Sequence, residues 1–206
     1  MSPRPDVSKE RTRQILDAAV KVFSRAGFQQ ASMDDIVAES GLSKGALYWY
    51  FKSKDEIIVA VLDRLFAGEL TGVQQLAQAK CSAEDRLVEF SRMTISEIKN
   101  MMRLIPITYE FYSLAFRNKT VQKSLRKYFQ NYTDALVPVI EQGMARGEFR
   151  RVDARHTAIT LGAVVEGSVL LWVFDPKMVQ LEEQLETGVR LVLEGLKVDR
   201  ISKSKA

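Results

Sequence analysis

The chain has 206 residues, 46% apolar and 27% charged, with 30 Lys or Arg against 26 Asp or Glu for a net charge of +4, which fits a globular chain with a sizeable core in one large domain or two small ones. Cys81 is the single cysteine and His156 the single histidine, so an intramolecular disulfide is excluded and zinc motifs or a histidine-based triad have little to build on; we expect no enzyme, no metal and no cofactor. No apolar run approaching the roughly 20 residues of a membrane span and no signal-peptide core is read, which predicts a cytoplasmic protein with no membrane partner.

Residues 1–8, with Pro3, Arg4 and Pro5, read as an arm in which Arg4 is expected to be solvated, while Lys9 and Arg11 are better placed to touch phosphates. From Ser8 the spacing of Ile15, Ala18, Ala19, Val22 and Phe23 predicts a helix that ends at Gly27. Ser32-Met33-Asp34-Asp35 resembles a capping box that opens a second, short helix with Ile36 and Val37 buried, and Gly41-Leu42 is the turn that ends it. Ser43 then caps a third helix starting at Lys44. In that helix Leu47 and Phe51 face one way, whereas Lys44, Gly45, Ala46 and Tyr48 face another. The free face offers a cation, little bulk at its N-terminal end, phenols at Tyr48 and Tyr50, and Lys52 and Lys54 behind them. Small residues let a backbone approach base edges, and hydroxyls, lysines and a helix N-terminus hold phosphates, so this face suits a DNA reader. The alternative is any small helical hairpin with a solvated basic face.

Phe28, Ser32 through Ala38, Gly41 through Phe51 and Ser53-Lys54-Asp55-Glu56, with Arg13 through Ala19, Val22-Phe23 and Gly27-Phe28 upstream, resemble the N-terminal domain of the TetR family of transcriptional regulators over about the first 60 residues. The resemblance implies that Lys44, Gly45, Tyr48, Tyr50 and Lys54 hold DNA-contacting positions, with Ala46 beside them and Ser32 and Ser43 near the phosphate backbone. One departure is Asp34, where some members read a base with arginine; an acid there is expected to cap the helix or to accept from a cytosine amine.

Ser53-Lys54-Asp55-Glu56 reads as another capping box, opening a helix of roughly 25 residues that runs toward Ala79 and is long enough to act as a lever out of the first domain. Ser82-Ala83-Glu84-Asp85 caps a fifth helix, and Pro106 marks the break before a helix carrying Tyr109, Phe111, Tyr112, Leu114 and Phe116. A helix from Asn118 runs to Gly143, bent at Pro138. Asp153 caps the next, whose centre from Ala158 to Phe174 is apolar on nearly every side except at Glu166. The last helix repeats apolar residues at Leu181, Leu185, Val189, Val192, Leu193 and Leu196. Residues 1–54 hold nine Lys or Arg against six Asp or Glu, and 55–206 hold 21 against 20, a modest surplus where DNA is expected.

The reading is all-α: an N-terminal three-helix helix-turn-helix domain over residues 1–53 and a larger C-terminal helical ligand-binding and dimerisation domain over 54–206. Candidate effector-pocket residues are Met101, Met102, Tyr109, Tyr112, Phe116, Phe129, Glu166 and Trp172, since methionine and aromatics wall apolar sites, although such residues at helical spacing also read as core. Candidate dimer residues are Gly162, Gly167, Val169, Leu185, Val189, Val192 and Leu196, taken as a four-helix bundle made from two chains. The family resemblance implies a homodimeric repressor on a double-stranded, pseudo-palindromic DNA operator, released by an unidentified small apolar or aromatic effector. The alternative is a DNA-binding scaffold or regulator with no small effector that acts through a protein partner.

Overall fold

The computed structural model describes residues 7–77, 79–100 and 102–198. They form α1 (Val7–Gln30), α2 (Met33–Ser40), α3 (Lys44–Tyr50), α4 (Lys54–Ala77), α5 (Ala83–Asn100), a short 3-10 turn (Met102–Leu104), α6 (Ile105–Ala115), α7 (Lys119–Ala145), α8 (Ala154–Phe174) and α9 (Leu181–Leu196). There is no strand among the described residues beyond one isolated bridge, Phe149 to Lys197. The chain divides into two compact units, residues 1–67 with 101–128 and residues 68–100 with 129–206, and α4 and α7 have residues in both.

In the first unit, α1 buries Ile15, Ala19, Val22 and Phe23 on one face, as their spacing requires. The helix breaks at Gly27, whose φ of 70° and ψ of 167° lie in a region essentially reserved for glycine. One last turn follows, and Phe28 drops into the core beside Phe23 and Phe111, at ring separations of 4.8 and 4.7 Å. Ile36 of α2, Leu47 of α3 and Ile57, Val61 and Phe66 of α4 complete that core, together with Val121 and Leu125 of α7. Leu47 is fully buried, and burial of one such side chain stabilises by roughly 1.5–3 kcal/mol. The α3 helix is seven residues long, too short to persist alone, so this anchor fixes its orientation.

The second unit is held by α9. Its stripe of Leu181, Leu185, Val189, Leu193 and Leu196 is buried within the chain against α5 and α8. The α8–α9 contact is close because Gly188 has no side chain: a Cβ there would stand 2.4 Å from Val164 Cγ1. Gly143 plays the same part in α7, where a Cβ would meet the Phe149 ring at 2.3 Å. Asp153 caps α8, its carboxylate accepting the His156 N–H at 2.8 Å; that bond holds the Asp153 carboxyl below the usual carboxylate range.

Two expectations change here. Ser53 accepts the Glu56 N–H at 3.2 Å, but the Glu56 carboxylate accepts from Lys52 N–H at 2.7 Å, so the capping box closes one residue early. The Ala154–Phe174 helix, for its part, is long and apolar enough to cross a membrane by length and composition, with a mean hydropathy of 1.8, contrary to the reading that no such run exists. Its side chains divide by face: Ala158, Leu161, Val165 and Ser168 are buried, while Ile159, Leu170, Val173 and Phe174 on the opposite side are exposed.

Candidate nucleic-acid interface

The α2–α3 pair is set by its caps. Ser32 Oγ accepts the Asp35 N–H at 3.1 Å, and Asp35 Oδ2 accepts the Ser32 N–H at 2.8 Å and its hydroxyl at 2.6 Å. These bonds, the hydroxyl first, hold the Asp35 carboxyl below the usual carboxylate range. Gly41, with φ of 68°, ends α2 and donates its N–H to Val37 O at 3.1 Å. Ser43 Oγ then accepts the Ala46 N–H at 3.2 Å and starts α3. From α1, Gln14 Nε2 donates to Ser40 O at 2.7 Å, which ties the last turn of α2 to the supporting helix.

The exposed side of α3 carries the residues that its pattern predicted. Ser43, Lys44, Gly45 and Tyr48 are exposed, Ala46 and Tyr50 are half-buried, and Ser32 is exposed at the head of α2. A Cβ built on Gly45 meets nothing within 4 Å, so a base edge has room to approach the backbone there. Asp34 does not cap α2, a role that belongs to Asp35. Instead Asp34 Oδ1 lies 2.8 Å from Lys44 Nζ across the turn. The hydrogen bond and the negative charge of Asp34 raise the Lys44 pKa above the ordinary lysine value.

Lys54 departs from expectation more strongly. Its Nζ donates to Phe28 O at 2.6 Å, Ala31 O at 2.7 Å and Gln29 O at 3.4 Å, so the ammonium closes the open end of α1. The neighbouring Phe28 N–H is taken by Glu110 Oε2 of α6 at 2.8 Å. Both polar groups of the Phe28 peptide backbone are therefore held from outside α1, by α4 on one side and α6 on the other. Glu110 also borders a shallow groove of about 290 Å³ lined in part by Gly27, Gln29, Gln30 and Arg117.

The roles of two further residues went unread. Trp49 is 68% exposed and stands edge-on to Tyr50, with ring centroids 4.6 Å apart. Lys52 Nζ donates to Tyr48 O at 2.7 Å and to Trp49 O at 3.2 Å, capping the carbonyl end of α3. The alternation of Trp49 with Tyr48 was the available signal for the first.

The pocket candidates divide between the two units. Met101 lies outside the described residues. Met102 is 49% exposed, and Phe116, at the end of α6, is 87% exposed, because α6 stops there and the chain turns into α7. Tyr109 and Tyr112 pair edge-to-face at 5.7 Å in the first unit, whereas Phe129, Glu166 and Trp172 belong to the second. By helical position Glu166 shares the outward stripe of α8 with Ile159, Leu170 and Val173.

The dimer candidates also change. Leu185, Val189 and Leu196 are at most 4% exposed inside their own chain, covered by α5, so α9 turns its main stripe inward. Gly162 packs on the Tyr132 ring, where a Cβ would lie 3.3 Å away. Gly167, Val169 and Val192 are half-buried. Among the described residues of the second unit, α8 exposes Ile159, Leu170, Leu171, Val173 and Phe174, and Met178 and Leu191 are exposed further along the chain.

The positive charge is gathered in the first unit, mostly in residues 101–128, with six Lys or Arg against one acid, and less in residues 1–67, with ten against nine. The first unit holds 16 Lys or Arg and 10 Asp or Glu, the second 14 and 16.

A capped helix-turn-helix with an open, cationic reading helix, followed by an all-helical second unit, defines a DNA-binding regulator. The pattern of the bacterial regulatory proteins of the tetR family matches residues 15–61, and that of the C-terminal part of BetI-type transcriptional repressors matches residues 83–196. The chain belongs to the TetR family of transcriptional regulators, whose members are DNA-binding regulators and not enzymes. It is 31% identical to the HTH-type transcriptional regulator YfiR of Bacillus subtilis over 74% of this chain and 77% of that one. It is 21% identical to the fatty acid metabolism regulator protein of the same organism over 89% and 94%. Its fold is also that of SmeT in complex with triclosan, with a TM-score of 0.80 at 20% identity over 93% and 94%; SmeT is the repressor of a multidrug efflux pump of Stenotrophomonas maltophilia.

Proposed function

We propose that this regulator is a homodimeric repressor that reads a pseudo-palindromic operator with α3 and is released by a small apolar or aromatic effector. The observation that carries the DNA part is the open cationic face of α3, where Lys44 and Gly45 stand exposed beside a position with nothing within 4 Å. In this reading Lys44, Gly45 and Ala46 meet base edges, and Ser32, Ser43, Tyr48 and Tyr50 meet phosphates. Lys54 contributes by holding the end of α1 on which α2 is hung. The reading places the protein in the cytoplasm with the chromosome, and it treats residues 1–53 as the reading domain and 54–206 as the effector and dimer domain.

The exposed apolar stripe of α8 supports the dimer. A soluble monomer seldom exposes Leu170, Val173 and Phe174 together, and a second copy of the same stripe would cover it by two-fold symmetry. Two reading heads then meet successive major grooves of one duplex face. The effector class is supported by the triclosan complex of SmeT and by the fatty acid metabolism regulator, both of which point to apolar chemistry. A ligand releases DNA only as far as it prefers the incompetent arrangement of the heads.

The second reading, a regulator that answers to a protein partner with no small effector, is favoured by one observation. Two of the candidate wall residues, Met102 and Phe116, stand 49% and 87% exposed to solvent. Fluorescence anisotropy on a bound operator duplex separates the two. Triclosan or a long-chain fatty acid should release the duplex at micromolar concentration, with a shift of the binding curve of at least tenfold. Tight operator binding that no apolar molecule in a broad panel disturbs would overturn the effector reading and leave the second.

A further inference from the structure

The largest uncompensated charge on the chain lies outside the helix-turn-helix. Between Glu110 and Asp134 the sequence holds Arg117, Lys119, Lys123, Arg126 and Lys127 and no acid. Without these five residues the chain would carry 25 cations against 26 acids, so the whole positive balance of the protein comes from this stretch. All five are exposed. None has an ion-pair or side-chain hydrogen-bond partner among the described residues. Several cations elsewhere are paired: Lys21 and Arg25 with Glu39, Arg64 with Asp17, Arg155 with Asp134.

Helical geometry gathers them. At 100° per residue Lys119, Lys123, Arg126 and Lys127 fall within about 100° of arc on α7, opposite Val121 and Leu125, which enter the core. Like charges so placed repel one another and weaken the helix unless something neutralises them. They also sit at the level of the reading head. Asn118 Nδ2 donates to Asp55 Oδ2 at 2.6 Å, and ten residues on Tyr128 stacks on Phe66 at 3.9 Å. The first three turns of α7 therefore run alongside α4 in the same direction, starting from the first turn of α4, next to Lys52 and Ser53. Arg117 lines the groove that also holds Gln29 and Gln30, the residues leading into Ser32 at the head of α2.

We propose that Arg117, Lys119 and Lys123 form a second phosphate-binding strip that carries the DNA contact past the helix-turn-helix onto the duplex flanking each half-site. The strip binds the sugar-phosphate backbone without reading sequence, because its donors are lysines and an arginine on a convex helix and not a helix end set in a groove. The inference rests on the DNA-binding reading of α3, and its occupant is the same duplex. Each lost phosphate contact lowers the slope of log Kobs against log salt by about 0.9.

The test uses the full chain and an operator recovered by selection, prepared once trimmed to the recognised base pairs and once with about ten further base pairs of arbitrary sequence on each side. The variant is Arg117→Gln/Lys119→Gln/Lys123→Gln, checked for an unchanged circular dichroism spectrum and melting temperature. On the flanked duplex its salt slope should fall by about 2.7 per protomer relative to wild type, with at least tenfold weaker binding at 150 mM salt. On the trimmed duplex the two proteins should bind alike, and the selected sequence should be the same. Thr120→Lys, which adds a cation beside the strip, should steepen the slope on the flanked duplex only. Equal slopes and affinities for variant and wild type on the flanked duplex would overturn the strip while leaving α3 as the reader. A wild type that binds neither duplex would instead sink the DNA reading and the strip with it.

Discussion

Two glycines of the reading domain make opposite predictions, because one is required by the backbone and the other by the DNA. Gly27 has φ of 70° and ψ of 167°, and an alanine forced into that region costs about 1–3 kcal/mol. Its Cβ would also stand 2.9 Å from Glu110 Oε1. The carboxylate is the far end of a flexible side chain and can swing away, but it then releases the Phe28 N–H that it holds at 2.8 Å, a further loss of about 1 kcal/mol. Gly27→Ala should therefore destabilise the chain by about 2–4 kcal/mol, read as a lower midpoint in urea with an unchanged m-value. In a Glu110→Ala background the cost should shrink by about 1 kcal/mol, since the bond is already gone. Gly45 lies within α3 with nothing around a built Cβ. Gly45→Ala should stabilise the fold by roughly 0.5–1 kcal/mol and yet weaken operator binding, because the methyl stands where a base edge must come. Refutation would be a Gly27→Ala protein within 0.5 kcal/mol of wild type, or a Gly45→Ala protein that binds its operator as well as wild type does.

The remaining predictions concern charge and assembly. Asp34→Asn frees Lys44 from its partner at 2.8 Å and removes an acid facing the phosphates, so operator affinity should rise and its salt dependence steepen; a weaker complex in a filter-binding titration would contradict this. Because the Asp35 carboxyl is held below its ordinary value of 3.8 by Ser32, its cap stabilises the fold above that pH and is lost as pH falls through the lower folded-state value. Urea midpoints of wild type and Asp35→Asn should accordingly differ by the same amount between pH 7 and pH 5 and converge under stronger acid. A gap that closes already at pH 6 would show that another group is responsible. Leu170→Asp should turn a dimer into a monomer in sedimentation velocity, with loss of operator binding at nanomolar protein; an unchanged sedimentation coefficient would move the interface elsewhere. Lys54→Met removes the ammonium from three carbonyls and should lower both thermal stability and operator affinity. If the affinity fell while stability and salt slope behaved as for a lost phosphate contact, Lys54 would be a DNA ligand after all.

How much of this was legible in the sequence depends on the range of the interaction. Ser32, Ser43 and Asp153 were readable as caps because each bonds an N–H three residues on, and the end of the first helix at Gly27 was readable because only glycine accepts that backbone. The nature of α3, with Leu47 inward and Lys44 outward, follows from its period alone. The partners of Lys54 and Glu110 were not legible, being 26 and 82 residues away. Periodicity shows which face of α9 is apolar but not what covers it. Leu185 and Val189 were therefore assigned to a partner chain when α5 buries them, and the exposed stripe went to α8, whose near-uniform apolarity hid its two faces. Helical spacing likewise did not show that Tyr109 and Tyr112 pack as a local pair on α6 or that Phe116 turns to solvent. The basic strip of α7 was present in the sequence as a stretch without acids, but its bearing on DNA came only from the bond between Asn118 and Asp55.

The central claim is that α3 reads a two-fold operator, and selection of bound sequences from a random duplex pool at a stated salt concentration tests it most directly. The account predicts a recovered palindrome with half-sites about one helical turn apart, a preference that Lys44→Ala relaxes and Tyr48→Phe leaves intact while binding weakens uniformly. Recovery of no shared sequence from protein whose fold is intact would contradict it.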